Sequence, residues 1–373
     1  MKHLLPLLLL AAALPAGAQQ HAEEVWTQFA KKDKDTYLYG YKDANGRIRI
    51  PAKFGSFVPA LKFRHIAAVT EQATLEQYYL LKNGRQVGRD SVYMFDYTYD
   101  CEQEGLIRFR SRAQNRVGFL NGQGQPVIPA VYNALSRFYN GLAVGLIGAR
   151  AVCLSGESDT MHCEHPSWVG GRWVLLNERN QVLADSLPLN QLNNLDWYSL
   201  RLNAPAIDTA TTCTFRAANG DRYTFMDYEK EFMRWFYGVF VPAVRTGEAG
   251  QVTPLCFTEL ATSGKPFRGW RHFERAAFVQ KFYQSALLPK LGGLRSGTQN
   301  VDVFSEDLNM LIFGSPRFQS FLTDCGEHFR AKYPVFNVVI NPLEATGKRS
   351  FGHQEHFTFI RTAEGYRLFS VAL

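Results

Sequence analysis

The chain has 373 residues, of which 46% are hydrophobic and 14% aromatic, so it can bury a large core and is not expected to be disordered. Its formal net charge of +7 at pH 7 permits weak attraction to anionic surfaces, and no apolar run beyond the N-terminal region is long enough to span a bilayer. The length predicts two domains, or one domain and a repeat array.

The N-terminal residues have the three-part pattern of a secretory signal peptide. Lys2 provides a basic start, Leu4 to Leu14 form an apolar run, and Ala16 and Ala18 place small side chains before the expected cleavage site. The apolar run has about 11 residues, whereas a transmembrane helix needs about 20. We therefore expect residues 1–18 to be removed, residues 19–35 to form the N-terminal segment, and the mature protein to be periplasmic or extracellular.

The first half of the mature chain contains an internal repeat. Each copy is a short apolar stretch, a turn rich in Asn, Gly or Asp, and a second apolar stretch, which is typical of a β-hairpin. The four copies are YGYKDANGRIRIP from Tyr39, YYLLKNGRQVG from Tyr78, VGFLNGQGQPVIP from Val117 and WVLLNERNQVLAD from Trp173. The starts lie 39, 39 and 56 residues apart, which predicts an insertion before the last copy. A fifth, degenerate copy is expected near Cys213.

The copies also share apolar positions at which one unit would pack against the next. A unit of about 39 residues cannot bury its apolar face alone, so neighbouring units must stack. The expected packing residues are Tyr39, Phe54, Phe63, Val117, Tyr132, Phe138 and Trp173.

This repeat resembles the WG-repeat family of bacterial proteins over residues 36–203. The matching positions in the third copy are Val117-Gly118-Phe119, Gly124, Val127-Ile128-Pro129, Tyr132, Phe138 and Gly141-Leu142-Ala143-Val144. The family's Trp-Gly pair is Tyr-Gly in the first copy and Val-Gly in the third, whereas Val174 replaces Gly in the fourth. The resemblance implies a β-rich surface that mediates interactions, and it carries no catalytic residues onto this chain.

Six cysteines in an exported protein favour disulfide bonds. The closest pair, Cys153 and Cys163, is predicted to staple a short loop, and the other pairings stay open. The neighbouring cluster of His162, Cys163, Glu164 and His165 has the residue types of a zinc or copper site, but oxidation of the thiol in this compartment favours the disulfide.

The pattern changes near Phe225, where three helices are predicted before three strands. The first predicted helix starts after Asp227 as N-cap. The second covers Arg271 to Leu288, and the third runs from Ser315 as N-cap to Pro334. The strands are predicted at residues 336–340, 356–361 and 366–371, with a hairpin between the last two.

This order predicts a β-rich repeat array at residues 36–224 followed by an α+β domain at residues 225–373. The order of helices and strands in the second domain is weakly similar to the NTF2-like family, which implies a curved sheet wrapped around a helix and a pocket.

One polar constellation stands out in the second domain, at His353, Gln354, Glu355 and His356. In a strand, His353 and Glu355 share one face and His356 lies on the other, so the two imidazoles do not form a joint metal site. His353 and Glu355 would be suited to act as a general acid/base pair, and an exposed polar strand entry is the competing interpretation.

The function predicted from the sequence is non-enzymatic. The chain lacks the nucleophile elbow, phosphate-loop, dinucleotide-binding and zinc-protease motifs. Lys265 to Arg295 is a basic, aromatic-rich stretch, and export favours a solvated helix face there over nucleic-acid binding. We expect an exported protein without a cofactor that presents its repeat surface to a protein or cell-envelope partner. The alternative is a small-ligand binder or enzyme with a pocket near His353, Glu355 and His356.

Overall fold

The computed structural model describes residues 24–153, 167–205, 208–265, 267–298, 300–342 and 354–373. The predicted signal peptide therefore lies outside the described residues. The chain from Trp26 to Asp227 is a series of small antiparallel sheets, and most helices follow in the C-terminal part. The predicted fold class, a β-repeat array followed by an α+β unit, is confirmed. Within the described residues no helix is both long and apolar enough to cross a membrane.

Five sheets of three or four strands make up the array, with one small hairpin between the second and the third. The first sheet contains β1 (Trp26–Asp33), β2 (Thr36–Lys42), β3 (Ile48–Phe54) and β4 (Lys62–Phe63). The second contains β5 (Ile66–Thr70), β6 (Gln77–Leu81) and β7 (Gln86–Val87), and the hairpin is β8 (Met94–Phe95) with β9 (Thr98–Tyr99). The third contains β10 (Leu106–Ser111), β11 (Arg116–Asn121) and β12 (Pro126–Tyr132). The fourth contains β13 (Ala134–Leu135), β14 (Leu142–Val152), β15 (Ser167–Asn177) and β16 (Val182–Ala184), and the fifth contains β17 (Leu195–Leu202), β18 (Thr212–Arg216) and β19 (Arg222–Asp227).

Consecutive sheets pack face to face, so inner strands are buried on both sides. In β5, Ala67 and Val69 pack toward the first sheet, whereas Ile66 and Ala68 pack toward the third. Strands buried on both faces read as continuous apolar runs rather than as alternating ones. Burial on both faces explains why the repeat sequences show apolar blocks. The face-to-face packing produces one hydrophobic cluster between each pair of neighbouring sheets.

The hairpin turns of all five units share one geometry. In each turn the first residue donates its backbone N–H to the carbonyl four residues later, and the fourth residue donates back to the first. The first residues are Asp43, Leu81, Asn121, Asn177 and Ala217. The fourth residues have positive φ and are Gly46, Gly84, Gly124, Asn180 and Gly220. A three-residue loop that ends in a left-handed residue is a standard hairpin connection, and its presence at Ala217–Asp221 confirms the hairpin predicted near Cys213.

The glycines of the Tyr-Gly and Val-Gly pairs allow two backbones to approach closely. A Cβ atom on Gly40 would lie 2.6 Å from the Ile50 carbonyl oxygen, and one on Gly118 would lie 2.4 Å from that of Ile128. Both sites face a strand whose register shifts through a bulge. In the fourth unit β16 ends before this point, so Val174 is tolerated there.

The C-terminal unit is a six-stranded sheet with helices on one face. Its helices are α1 (Tyr228–Trp235), α2 (Val241–Arg245), α3 (Ala249–Val252), α4 (Arg275–Phe282) and α5 (Leu288–Leu291), with π-helical turns at Phe236–Phe240 and Tyr283–Leu287. Its strands are β20 (Cys256–Ser263), β21 (Arg271–Glu274), β22 (Val301–Glu306), β23 (Val335–Ile340), β24 (Glu355–Thr362) and β25 (Gly365–Ala372). The strand order is β21-β20-β25-β24-β23-β22.

An aromatic core joins the helices to one face of this sheet, through residues such as Phe232, Phe336 and Phe359. A second cluster, which includes Phe318 and Phe369, covers part of the other face. The three strands predicted at the end of the chain are confirmed. Asp227 accepts hydrogen bonds from the backbone N–H groups of Glu229 and Lys230 at 3.1 and 3.2 Å, which confirms the predicted N-cap.

Two of the helix predictions need correction. Arg271–Glu274 is strand β21 rather than the first turn of a helix, because it pairs with β20. The predicted helix from Ser315 to Pro334 is only a 3-10 helix at Pro316–Phe321, and the chain is extended at Leu322. Beyond that point Gly326 has positive φ, and contacts with the repeat array hold the segment in a non-helical conformation.

The segment after Leu322 is fastened to the array by a disulfide and by ion pairs. Cys101, between β9 and β10, forms a disulfide with Cys325 across 224 residues of sequence. Arg64 contacts Asp324 at 2.5 Å, and Arg137 contacts Glu327 at 2.6 Å. The domain boundary predicted at residues 224 and 225 stays a prediction, and this segment crosses it in space.

Candidate functional site

The residues predicted to carry chemistry do not form a joint site in the described part of the chain. His353 lies outside the described residues. Glu355 pairs with Lys290 of α5 on the helix-covered face of the sheet, whereas His356 lies on the opposite face, where its Nδ1 is 3.1 Å from Asn337 Nδ2. The alternation predicted for this strand is therefore observed, and it separates Glu355 from His356. The acid/base role of His353 and Glu355 stays a prediction.

The residues predicted to pack neighbouring repeats lie in or beside the cores between sheets. Phe54 and Phe63 are fully buried between the first and second sheets. The buried Val117, Tyr132 and Phe138 belong to the cluster between the third and fourth sheets. The remaining two, Tyr39 and Trp173, are half-buried against neighbouring clusters.

The structure describes five of the six cysteines. Cys153 is disulfide-bonded, but Cys163 lies outside the described residues, so their pairing stays a prediction. The neighbouring cluster from His162 to His165 lies outside them as well. Cys213 and Cys256 are buried free thiols, and burial raises the pKa of Cys256 to about 12, which disfavours a reactive thiolate.

A cleft of about 560 Å³ lies where the last repeats meet the C-terminal unit. The array contributes side chains of the fourth and fifth sheets and their connection, and the C-terminal unit contributes α1 and the segment before β23. Its lining includes Ser136, Tyr139, Val144, Trp173, Leu192, Asn193, Asn194, Leu195, Trp197, Tyr228, Arg330, Ala331 and Pro334. This volume and this position between two units are typical of ligand sites.

The walls of the cleft are mainly aromatic and aliphatic. Trp197 is buried and packs edge-on against Phe225 at a ring distance of 5.5 Å. Tyr139 stacks at a tilt between Trp197 and Phe329, with ring distances of 6.3 and 6.0 Å. Phe329 belongs to the segment after Leu322 that the disulfide and the ion pairs fasten to the array. These rings therefore link the repeat side of the cleft to the C-terminal side.

A buried ion network lies behind the Tyr139 wall. Asp100 accepts hydrogen bonds from Arg108 at 2.5 Å and from Arg137 at 2.9 Å, and Arg137 also contacts Glu327. Burial alone would raise the pKa of Asp100, but attraction to Arg108 and Arg137 outweighs it and holds the pKa well below its usual range. The network therefore fixes one wall of the cleft as a unit.

Arg330 is the cationic residue that lines the cleft. Its Nη2 donates to Ser305 Oγ at 2.6 Å, and its Nε is buried with no hydrogen-bond partner. Among the described residues no carboxylate forms an ion pair with Arg330. The cleft thus combines an apolar lining with a cationic side chain, and a guanidinium is suited to attract an external anion.

A separate polar network lies on the face of the C-terminal sheet opposite the core that α1 and α4 form with it. Asn337 Nδ2 donates to Glu306 Oε2 at 3.0 Å and lies beside His356. Burial raises the pKa of Glu306 and lowers that of His356, so burial favours the neutral form of both groups. The side-chain oxygen of Asn337 is buried without a partner.

Sequence reasoning named Val144, Trp173 and Pro334 among the cleft residues, but none of them for binding. Tyr139, Trp197 and Arg330 come from segments far apart in sequence, and none of them lies in a recognisable motif. The periodic apolar positions predicted the sheets. The disulfide and the ion pairs determine which sheet edge faces the C-terminal unit. Among the described residues no group of three metal-ligating side chains is present.

Comparisons with known proteins support the repeat assignment over a short stretch. The family model for the WG containing repeat matches residues 118–144, which covers most of β11, the turn, β12, β13 and the first residues of β14. No curated protein sequence matches the chain.

Two solved structures are similar to this chain at low level. A putative calcium/calmodulin dependent protein kinase II association domain from Xanthomonas campestris shares 14% identity, covering 39% of this chain and 86% of that one, with a TM-score of 0.21. A member of the duf4221 family from Bacteroides vulgatus shares 8% identity, covering 95% of this chain and 82% of that one, with a TM-score of 0.16. Scores this low support no assignment, so the NTF2-like resemblance stays a prediction. Residues 118–144 of this chain are thus similar to the WG containing repeat.

Proposed function

We propose that this protein is an exported, non-enzymatic binding protein whose repeat array and C-terminal unit present one recognition surface to a protein or cell-envelope partner. The N-terminal pattern and the Cys101–Cys325 disulfide support export, because stable disulfides form in oxidising compartments. The WG-type repeat at residues 118–144 supports a repeat-built surface.

The observation that carries the proposal is the cleft between the two units. Its walls come from the fourth and fifth sheets, from α1 and from the fastened segment. A recognition surface needs an apolar centre with a polar rim. The rings of Trp173 and Trp197 belong to the apolar lining here, and Asn193 and Asn194 to the polar lining.

The proposal is tested by capture from a cell-envelope extract on the immobilised mature chain, followed by direct binding of the purified partner. The variant Asn193→Trp places a bulky ring in the cleft at an exposed position, and Leu311→Trp adds the same ring at a position that is 97% exposed and outside the cleft. We expect the first variant to lose the partner and the second to keep it. Capture that is equal for all three proteins would refute the cleft as the binding site.

A second candidate function rests on Glu306, Asn337 and His356. Both Glu306 and His356 lie within hydrogen-bond distance of the same amide nitrogen, and the amide oxygen is unpartnered. We propose as the alternative that this face binds a small polar ligand or catalyses a reaction on it. Chemical-shift changes of the His356 imidazole upon addition of a small polar ligand would favour the alternative. Binding of that ligand, or turnover of it, that survives both His356→Gln and Glu306→Gln would refute it.

A further inference from the structure

We propose that the junction cleft binds a molecule in which an aromatic or branched apolar group lies next to a carboxylate. The proposal rests on the proposed function in using the same cleft, but it concerns what the cleft recognises rather than which partner carries it. Three features of the cleft lead to this ligand class: its size, its apolar walls and the charge of Arg330.

The size and walls of the cleft define the apolar part of the ligand. A volume of about 560 Å³ is within the range of small-molecule sites and exceeds that of a single phenyl ring. Val144, Leu192 and Leu195 are buried, and two indoles and two phenol rings complete the lining. Aromatic rings pack favourably edge-on or offset against each other, so a planar apolar group is the best fit.

The charge of Arg330 defines the polar part. Its guanidinium donates to one neutral oxygen, that of Ser305, and leaves the buried Nε donor unpartnered. An unsatisfied buried donor of a charged group costs free energy, and a rotation of the guanidinium toward an anion in the cleft would recover that cost. A carboxylate matches the planar fork of the guanidinium through two parallel hydrogen bonds.

Neighbouring acidic groups are engaged elsewhere and do not occupy Arg330. Asp307 lies near enough to be attracted to it, but the Asp307 carboxylate is bonded to His328 Nδ1 at 3.2 Å, and this bond is the main reason that the pKa of Asp307 is lowered. Glu229 accepts a hydrogen bond from Asn194 at the rim. An external carboxylate in the cleft would therefore meet a guanidinium that forms no ion pair with a carboxylate of the described residues.

Two sources share this chemistry, a free apolar carboxylic acid and the carboxyl terminus of a polypeptide. Calorimetric titration of the mature protein with N-acetyl-phenylalanine and its amide compares two probes that differ in the charge of one group. The peptide Ala-Ala-Ala-Phe, with a free or an amidated terminus, extends the same comparison to a chain end. Binding of only the short acid identifies a small-molecule site, and tighter binding of the acid-ended peptide identifies a chain terminus.

We expect the acids to bind about 10-fold or more tightly than the amides. The preference should disappear in Arg330→Gln and persist in Arg112→Gln, which removes an exposed arginine outside the cleft. Ser305→Ala removes the neutral partner of Arg330 without changing the charge, and the preference should persist there as well.

Equal binding of acid and amide, or an undiminished preference in Arg330→Gln, would overturn the proposal. Absence of binding by all four probes at millimolar concentration would also overturn it. These outcomes differ from failure of the proposed function, because a partner that is captured by the wild type and lost in Asn193→Trp would still use the cleft without reading a carboxylate.

Discussion

Replacing Asp100 by asparagine tests how strongly the ion network stabilises the fold. The Asp100 side chain is 1% exposed, and the side chains of Arg108 and Arg137 are 15% and 14% exposed. The substitution removes the carboxylate that both cations share and leaves Glu327, which is 35% exposed, as the partner of Arg137 alone. Removing one member of a buried ion pair typically costs about 3–5 kcal/mol, because the remaining charge is left uncompensated. We expect a loss of that size in the free energy of unfolding.

The measurement is urea unfolding at pH 7, followed by far-ultraviolet circular dichroism and by tryptophan fluorescence. The matched control is Asp185→Asn, which breaks the exposed pair between Asp185 and Arg172, whose side chains are 47% and 54% exposed. Exposed pairs contribute about 0–1 kcal/mol, so the control should unfold almost as the wild type does. If Asp100→Asn costs no more than the control, the network does not stabilise the fold.

The same comparison has a pH dependence with a defined sign. Because the folded-state pKa of Asp100 lies below its unfolded value, its carboxylate stabilises the fold above the unfolded pKa, about 3.9. That contribution is lost as the pH falls from there toward the folded pKa. We therefore expect the difference between wild type and Asp100→Asn to be constant from pH 6 to 7 and to shrink below pH 4, and a difference that grows on acidification would contradict the assignment.

Two further substitutions test the repeat geometry and the second polar network. Gly118→Ala should cost about 1–3 kcal/mol, because its Cβ would overlap the Ile128 carbonyl oxygen, whereas Gly238→Ala in an open helical position should be neutral or stabilising; equal urea midpoints would refute the close-approach argument. Glu306→Gln should raise stability at pH 7, since burial raises the folded-state pKa of Glu306 and its ionised form is disfavoured in the fold. That gain should vanish near pH 4 and below in the same urea assay, and a loss at pH 7 would show that the charge of Glu306 stabilises the fold.

The repeat array was predictable from sequence because its determinants are local. The turns rich in Asn and Gly fix the hairpins, and the shared anchors such as Phe54 and Tyr132 identify the faces that stack. Even the tolerance of Val174 has a local reason in the short β16. The strands at the end of the chain were predictable for the same reason, since their alternation survives in the structure.

The segment from Ser315 to Pro334 shows where such reasoning ends. Its N-cap, its N1 proline and its apolar spacing all favour a helix, and the first turn indeed forms as Pro316–Phe321. The remainder is held by contacts with residues more than 180 positions away, at Cys101 and Arg137. No local pattern encodes those partners, and the cleft that this segment borders was therefore invisible in the sequence.

The Cys101–Cys325 disulfide gives the cleft a property that stability measurements alone would miss. Cys325 fastens the segment that carries Arg330, Ala331 and Pro334 into the cleft wall, so the disulfide holds that wall in place before any ligand arrives. Preorganisation of a binding site raises affinity by reducing the ordering cost of association.

The double variant Cys101→Ser/Cys325→Ser should lose about 2–5 kcal/mol of stability. In buffer without urea, where the variant remains fully folded, it should also bind N-acetyl-phenylalanine more weakly than the wild type does. If binding is weaker but the ratio of the affinities for the acid and the amide is unchanged, the disulfide acts on the position of the cleft wall and not on the charge of Arg330. Unchanged affinity in the folded variant would show that the disulfide stabilises the whole molecule without organising the cleft.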